Sequence, residues 1–394
     1  MSLYDDARAL APDLVRLRHD LHRFPELGLA LPRTQERVLQ ALDGLPLEVS
    51  LGSGLSSVTA VLRGGRPGPV VLLRGDMDGL PVVEKSPVPF AATNGAMHAC
   101  GHDLHTAMLA GAAHLLAGRR EQLHGDVVFM FQPGEERDDG AGAMLAEGVL
   151  DAAGRRPVAA YALHVASAMP HGEFSSRRGP VLAASGALNV TVHGAGGHGS
   201  TPYRAKDPVP AACEMVTALQ TMVTRRFDVF DPVVITVGLL RAGTQLNVIP
   251  ETAHFEATVR TFSTQAQSRV ADLAVELVKA IAAAHGLRAE AAYVPGYPLT
   301  VTDGAETDFL ADTVREVFGE ERFQLMPNPI AGSEDFSRVL DAVPGSFAWL
   351  GAAPKGVDTE DLPLNHSPYA EFDDAVLPQG AALYAELAAR RLAA

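Results

Sequence analysis

The chain has 394 residues, 47% of them hydrophobic and 20% charged, which is ordinary globular composition and more length than one hydrophobic core usually serves. Its 32 basic and 47 acidic side chains leave a formal charge of −15, a balance that repels phosphate backbones and argues against a nucleic-acid partner. No apolar stretch reaches membrane-spanning length, and Asp5 and Asp6 stand where a secretory signal would carry basic residues, so neither a membrane anchor nor export is expected.

From the N-terminus, helical spacing of Leu14, Leu17, Leu21 and Phe24 predicts a helix over 14–24, and a second over 34–42. Apolar strands are expected at 57–62 and 69–74, then a helix at 104–117, a strand at 126–132, a helix at 142–149 and a strand at 158–165. Short, continuously apolar strands alternating with helices indicate an α/β domain with a mostly parallel sheet covered on both faces. The pattern then changes. Strand 187–193, helix 208–225, strands 233–240 and 252–261, helix 265–285 and strand 288–294 follow the order β-α-β-β-α-β, that of a ferredoxin-like α+β domain. Beyond Pro298 the α/β pattern returns, with helices at 305–318, 334–340 and 378–392 and strands at 324–326 and 347–350. A discontinuous catalytic domain, 1–183 and 297–394, is thus expected around an inserted lid and dimerisation domain, 184–296. An exposed edge of the inserted sheet would offer a pairing surface for a second copy.

Asp76, Asp78, Glu135, Glu136 and His164 all fall at or just beyond the C-terminal ends of predicted strands, where open α/β sheets build their sites. Cys100 and His102 place a thiol and an imidazole two residues apart, close enough to grip one metal ion. A lone cysteine is usually a small buried hydrophobe. Here the pair lies in a Gly-flanked loop that opens a helix, a setting that favours the metal-binding thiolate. The other cysteine, Cys213, leaves too few for a disulfide framework, so reduced thiols and a cytoplasmic location are expected.

Glu135 and Glu136 follow a buried strand through the turn Pro133–Gly134. As solvated charges they would do nothing; in a loop, two adjacent carboxylates can instead point apart, one to a metal and one to a water. His164 reads equally as a satisfied core histidine or a ligand. His366, between Asn365 and the turn pair Ser367–Pro368, is presented like a ligand. Asp103 is expected to accept the free N–H of a ligating imidazole, and His19 and His22 to serve helix packing or the surface. In the inserted domain, His198 sits among glycines, Asn247 offers an amide donor, and Arg260 ends a strand as a cation able to pair bidentately with a carboxylate. Together these are the parts of a two-metal hydrolytic site with a spare glutamate. A thiol hydrolase using Cys100 as nucleophile and a non-catalytic metal-binding protein are the rival readings.

Whole-chain motifs then narrow the choice: RHDLHRFPELG (18–28), LRGDMDGLP (73–81), MHACGHDLHTAML (97–109), FQPGEE (131–136), ALHV (162–165), GGHGSTP (196–202), NVIPE (247–251), AGSEDF (331–336) and NHSP (365–368). In these the chain resembles the M20 metallopeptidase superfamily, specifically its amidohydrolase branch of N-acyl-amino-acid, hippurate and auxin-conjugate hydrolases. The resemblance implies two divalent ions (zinc, manganese, cobalt or nickel) bridged by Cys100. His102 and His164 would complete one shell, and Glu136 and His366 the other. Glu135 would be the acid/base, with Asp76, Asp78 and Asp103 orienting the ligands. It further implies that His198 steadies the oxyanion and that Asn247 and Arg260 hold the substrate carboxylate, in part across a homodimer or higher assembly. A dipeptidase or metallo-carboxypeptidase of the same superfamily is the alternative. Leu104, the Arg137–Asp138 pair and the Ser167–Ala168 pair depart from the branch's pattern and leave the acyl pocket open.

Overall fold

Four strands, His124–Gln132, Arg66–Asp76, Ala159–Ala166 and Gly345–Gly351, run parallel as neighbours in that order at the centre of an eight-stranded sheet. Val58–Leu62 and Leu47–Leu51, each antiparallel to the strand before it, extend it on one side; on the other, Phe174–Ser176 pairs antiparallel with Gly345–Gly351 and Phe323–Leu325 pairs parallel with Phe174–Ser176. The central strands are apolar without alternation because both faces are covered: Val70–Leu73 and Val127–Phe131 are fully buried. Helices His102–Ala117 and Leu377–Ala393 pack on one another, and Gly380 permits the contact, since a Cβ there would meet the Met108 sulfur at 1.9 Å. This unit comprises residues up to Val181, Val301–Asn328 and Asp335–Ala394, in a computed structural model that describes residues 2–394.

The second unit, Leu182–Thr300 with Pro329–Glu334, has its own core. Its antiparallel sheet has the spatial order Val233–Ala242, Thr252–Thr261, Ala184–His193, Arg288–Pro295. Inward residues of the strands, among them Leu188, Val190, Phe255 and Val259, pack on Met215 and Leu219 of helix Pro208–Arg226 and on Val270 and Val278 of helix Thr264–Ala284. The chain is therefore α/β with an inserted ferredoxin-like unit. The segment Pro329–Glu334, read from sequence as part of the returning catalytic stretch, clusters with the inserted unit. Among the described residues no helix is long and apolar enough to cross a membrane.

Local differences from the sequence expectation have identifiable causes. The first helix is Leu3–His22, not 14–24: Ser2 caps it, accepting from the Asp5 amide at 3.1 Å while the Asp5 carboxylate accepts from the Ser2 amide at 3.2 Å, and Pro12 is carried inside. The expected helix 334–340 is only Ser337–Leu340. Strand Leu47–Leu51 gave no apolar signal because it is an edge strand with four of its five residues exposed.

The first helix is tied to the helix His102–Ala117 by buried charge. Arg18 Nε donates to Asp103 Oδ2 at 2.8 Å and His22 Nδ1 lies 2.8 Å from the same oxygen, all three side chains being at most 2% exposed. His22 Nε2 also reaches Glu84 at 3.1 Å. Burial opposes the Asp103 charge, but Arg18 and then His22 overcome it and hold the carboxyl well below the usual range. Arg18→Met is expected to cost about 3–5 kcal/mol of stability by stranding that carboxylate, read as a lowered denaturant midpoint. A group whose folded pKa is depressed stabilises above its unfolded value. The difference from wild type should therefore be complete above pH 3.8, the usual aspartate value, and shrink as pH falls through the folded pKa. An unchanged midpoint at neutral pH would show that water reaches Asp103.

Candidate metal centre

Three distant stretches of chain meet at the sulfur of Cys100. The loop carrying it turns through Gly101, whose φ of +84° and whose approach to Val165, where a Cβ would lie 2.2 Å from Cγ2, both require glycine. The loop is thereby pressed on the end of strand Ala159–Ala166, leaving the sulfur 3.4 Å from His164 Nε2. His366 enters from the C-terminal segment: its amide donates to the Ala99 carbonyl at 2.8 Å, and its Nε2 lies 3.2 Å from the sulfur and 3.4 Å from Glu136 Oε1. Its backbone is left-handed, φ +73°, an uncommon conformation for a non-glycine residue and one that neighbouring bonds must hold. Asn365 supplies them, donating from Nδ2 to the Val165 carbonyl at 2.9 Å and the Cys100 carbonyl at 3.3 Å, while its Oδ1 accepts from the Ser167 amide at 3.0 Å.

The result is two donor sets that share one sulfur: Cys100, His102 and His164, and Cys100, Glu136 and His366. Within each set the ligand atoms lie within 4.8 Å of one another. Ligands on one tetrahedral ion with bonds near 2.0–2.3 Å stand about 3.5 Å apart, so the spacings at the sulfur suit an ion. Both ring nitrogens of His102 and Oε1 of Glu136 are buried without a hydrogen-bond partner among the described residues. Buried atoms that lack a hydrogen bond are costly unless a cation completes them, and the sulfur, nitrogen and oxygen mixture is that of zinc and its neighbours. The residues present fit divalent ions. A further grouping, Asp76 with His102 and His105, is spoken for: Asp76 already binds Arg74 Nη1 at 2.6 Å and His105 Nδ1 at 2.5 Å.

Supporting carboxylates divide the work differently from expectation. Asp78 accepts from the amides of Glu135 at 3.0 Å and Glu136 at 3.2 Å, and its Oδ1 lies 3.4 Å from His102 Nδ1. One side chain thus orients both glutamates and a ring. Asp103 was expected to do this for a ligating imidazole; its bonds go instead to Arg18 and His22, away from the donor sets. His22, assigned to packing, is likewise a member of that buried ionic cluster. His105 escaped the sequence reading, although its three-residue spacing from His102 on one helix was a usable signal. Its Nε2 accepts from the Val165 amide at 2.8 Å, so Asp76 and His105 together fix the strand end beside His164. Ser167, left open as a pocket residue, donates its hydroxyl to Pro363 O at 2.7 Å and helps pin the His366 loop. The aromatic neighbour of His164 comes from the next strand, Trp349, with ring centroids 4.6 Å apart.

The local field is anionic. His366 is pushed up to about 10 by its contact with Cys100 and then with Glu136. Burial opposes charge on His102, yet Asp76 and then Asp78 raise it well above the usual histidine value, whereas burial and then His105 push His164 well below it. Surroundings that hold protons on two imidazoles hold a divalent cation by the same attraction, with the protons released. Glu135, 6% exposed, puts Oε2 4.0 Å from His102 Nε2 and belongs to neither sulfur-sharing set.

The remaining predicted residues lie in the inserted unit. His198 and Asn247 are exposed and adjoin: Gly197–His198 pairs with Val248–Ile249, and the Gly199 amide donates to Asn247 O at 2.8 Å. His198 Nδ1 accepts from the Ser200 amide at 3.1 Å and lies 2.8 Å from Ser200 Oγ, which leaves Nε2 as the nitrogen not engaged by that turn. Arg260 stands on the four-stranded sheet, opposite Val234 and Ser185.

Residues 72–390 match the model of peptidase family M20/M25/M40. The chain is 34% identical to thermostable carboxypeptidase 1 of Saccharolobus solfataricus, over 98% of each chain, and 33% identical to N-acetylcysteine deacetylase of Bacillus subtilis, over 97% of each. Among solved structures it is similar to the Bacillus subtilis YXEP protein, described as a dinuclear metal-binding peptidase of family M20. The TM-score is 0.83 at 31% identity, covering 98% of this chain and 99% of that one. With its paired donor sets, the chain belongs to peptidase family M20/M25/M40 and is a metal-dependent hydrolase of amide bonds.

Proposed function

We propose that the chain hydrolyses the amide bond of N-acyl amino acids. The observation that carries this is Glu135: a buried carboxylate beside two donor sets that share the Cys100 sulfur, and outside both. In this reading Cys100, His102 and His164 hold one divalent ion and Cys100, Glu136 and His366 a second, zinc, manganese, cobalt and nickel all suiting such donors. Ions bound there supply Lewis acidity to a carbonyl and acidify water. Glu135 removes the proton from the attacking water and delivers it to the departing nitrogen. Asp78, through the two backbone amides, keeps Glu135 and Glu136 pointing to their separate tasks.

His198 donates a hydrogen bond to the oxyanion, and Asn247 and Arg260 hold the free carboxylate of the amino acid. The exposed edge strand Val233–Ala242 joins two copies into a homodimer, and a reducing cytoplasm keeps the shared sulfur a thiolate. The acyl preference follows the relative that acts on an N-acetyl amino acid; the carboxypeptidase among the relatives supports cleavage of a peptide's terminal bond at the same site. Hydrolysis of N-acyl amino acids, compared with free dipeptides and N-blocked peptides of the same terminal residue, separates the two.

Glu135→Gln is expected to lower kcat by about 10²–10⁴ while the metal content stays at the wild-type level. Near-wild-type turnover with metal bound would remove Glu135 from the role of base. Complete chelation should abolish activity and readdition of a divalent ion restore it; turnover that survived metal removal would favour Cys100 as a nucleophile. Arg260→Gln should raise KM for an N-acyl amino acid by about 10- to 150-fold, the worth of a charge-assisted hydrogen bond. The same variant should change little for the corresponding N-acyl amino amide, which has no carboxylate. Equal effects on both substrates would take Arg260 out of carboxylate recognition.

A further inference from the structure

At the far edge of the large sheet lies a cavity of about 690 Å³, within the range of ordinary small-molecule sites, ~300–1,000 Å³. Strand Phe174–Ser176 runs antiparallel to Gly345–Gly351, with Ser175 opposite Trp349 and Trp349 opposite His164, so Arg177 and Arg178 follow two strands away from His164 and lead away from its end of the sheet. The cavity has no part in the reaction proposed above.

Three arginines line it, and two are neutralised. Arg178 binds Asp308 through Nε and Nη2, both at 2.7 Å. Arg315 binds Asp312 at 3.0 Å and Glu320 at 3.3 Å and lies over the Phe323 ring. Arg177 differs. Its Nε and Nη1 are buried without a hydrogen-bond partner among the described residues. A guanidinium cannot shed its charge, and among the described residues no acid pairs with this half-buried one, so the cavity it lines is the space open to a negative partner. The rest of the lining includes Ala311, Phe323 and Met326, which suit an apolar body.

We infer that this cavity is a second ligand site, distinct from the metal centre, and that it takes a small carboxylate with an apolar body. One uncompensated cation matches one negative charge. A phosphate dianion would bring excess charge towards Asp308 and Asp312 and leave the apolar wall unused.

Met326 provides a local reporter. In the full-length, metal-loaded enzyme labelled with ¹³C at the methionine methyls, and with the Met326 signal assigned through Met326→Leu, benzoate should shift that signal saturably. Benzyl alcohol, of similar shape but neutral, should bind about tenfold more weakly or worse, the loss expected when a charge-assisted hydrogen bond is absent. Arg177→Gln should weaken benzoate by a similar factor and leave turnover of the amide substrate unchanged. An unmoved Met326 signal, an equal response to benzyl alcohol, displacement of benzoate by equimolar inorganic phosphate, or undiminished binding to a folded Arg177→Gln enzyme would each overturn the assignment. If Arg177→Gln does not fold, the wild-type contrast between benzoate and benzyl alcohol decides alone.

Discussion

Everything in the catalytic unit that concerns chemistry depends on one sulfur lying between two imidazoles, His164 at 3.4 Å and His366 at 3.2 Å. Neither approach is a local accident. The first requires a glycine with left-handed backbone at 101, pressed on Val165; the second requires a left-handed histidine at 366, held by Asn365 and by the Ala99 carbonyl. A Cβ at Gly101 would collide with the very strand end that presents His164. Strain of this kind, of order 1–3 kcal/mol at a non-glycine residue, persists only when surrounding bonds over-determine it. Asn365, with partners on both the Cys100 loop and the His164 strand, is placed to do so.

Around the sulfur lies a shell of buried acids, each with a different remedy for its charge. Asp76 is met by Arg74 and His105, Asp78 by two backbone amides, and Asp103 by Arg18 and His22. Buried ion pairs add little to stability by themselves, because desolvation consumes most of the attraction. Their value here is geometric. Each acid that has satisfied itself cannot wander into the donor sets, and each fixes an element that carries a ligand: the glutamate turn, the end of the His164 strand, or the helix after His102. Buried atoms without a hydrogen-bond partner remain on His102 and Glu136, which belong to the donor sets, and also on His98 and at Asp103 Oδ1, which do not.

Much of this was legible in the chain because the donors fall at breaks in periodicity. Glu135 and Glu136 follow an apolar strand through a Pro-Gly turn, and Cys100 and His102 interrupt a glycine-flanked loop. Fold class followed from the change between continuous apolar runs and the alternating pattern of the inserted unit. What could not be read was direction. Asp103 adjoins His102 in sequence, yet successive helical residues face about 100° apart, which sends its carboxylate to Arg18. Asp78, 24 positions away, is the acid that meets the ring. His22 and Asn365 acquire their roles only through contacts with residues dozens to hundreds of positions distant, which periodicity does not encode. Short edge strands were missed for a related reason: Leu47–Leu51 buries too little to leave an apolar signature.

The two units also differ in what a substitution costs. Their hydrophobic cores share no residue, one being built on the large sheet and the other on the four-stranded sheet with its two helices. The set of Cys100, His102 and His164 is embedded in the first, each residue less than 9% exposed, whereas the second set reaches the surface at His366. A change there disturbs several hydrogen bonds at once. His198 and Asn247, by contrast, sit on exposed backbone whose pairing is a short two-stranded segment, and their side chains carry little packing. Surface positions outside a core usually tolerate replacement within about 0.5 kcal/mol. Replacements at His198 and Asn247 are therefore expected to leave both hydrophobic cores intact. The departures at Arg137 and Asp138, exposed and directly after the glutamate pair, obey the same division: they alter the rim of the centre and leave its donors in place.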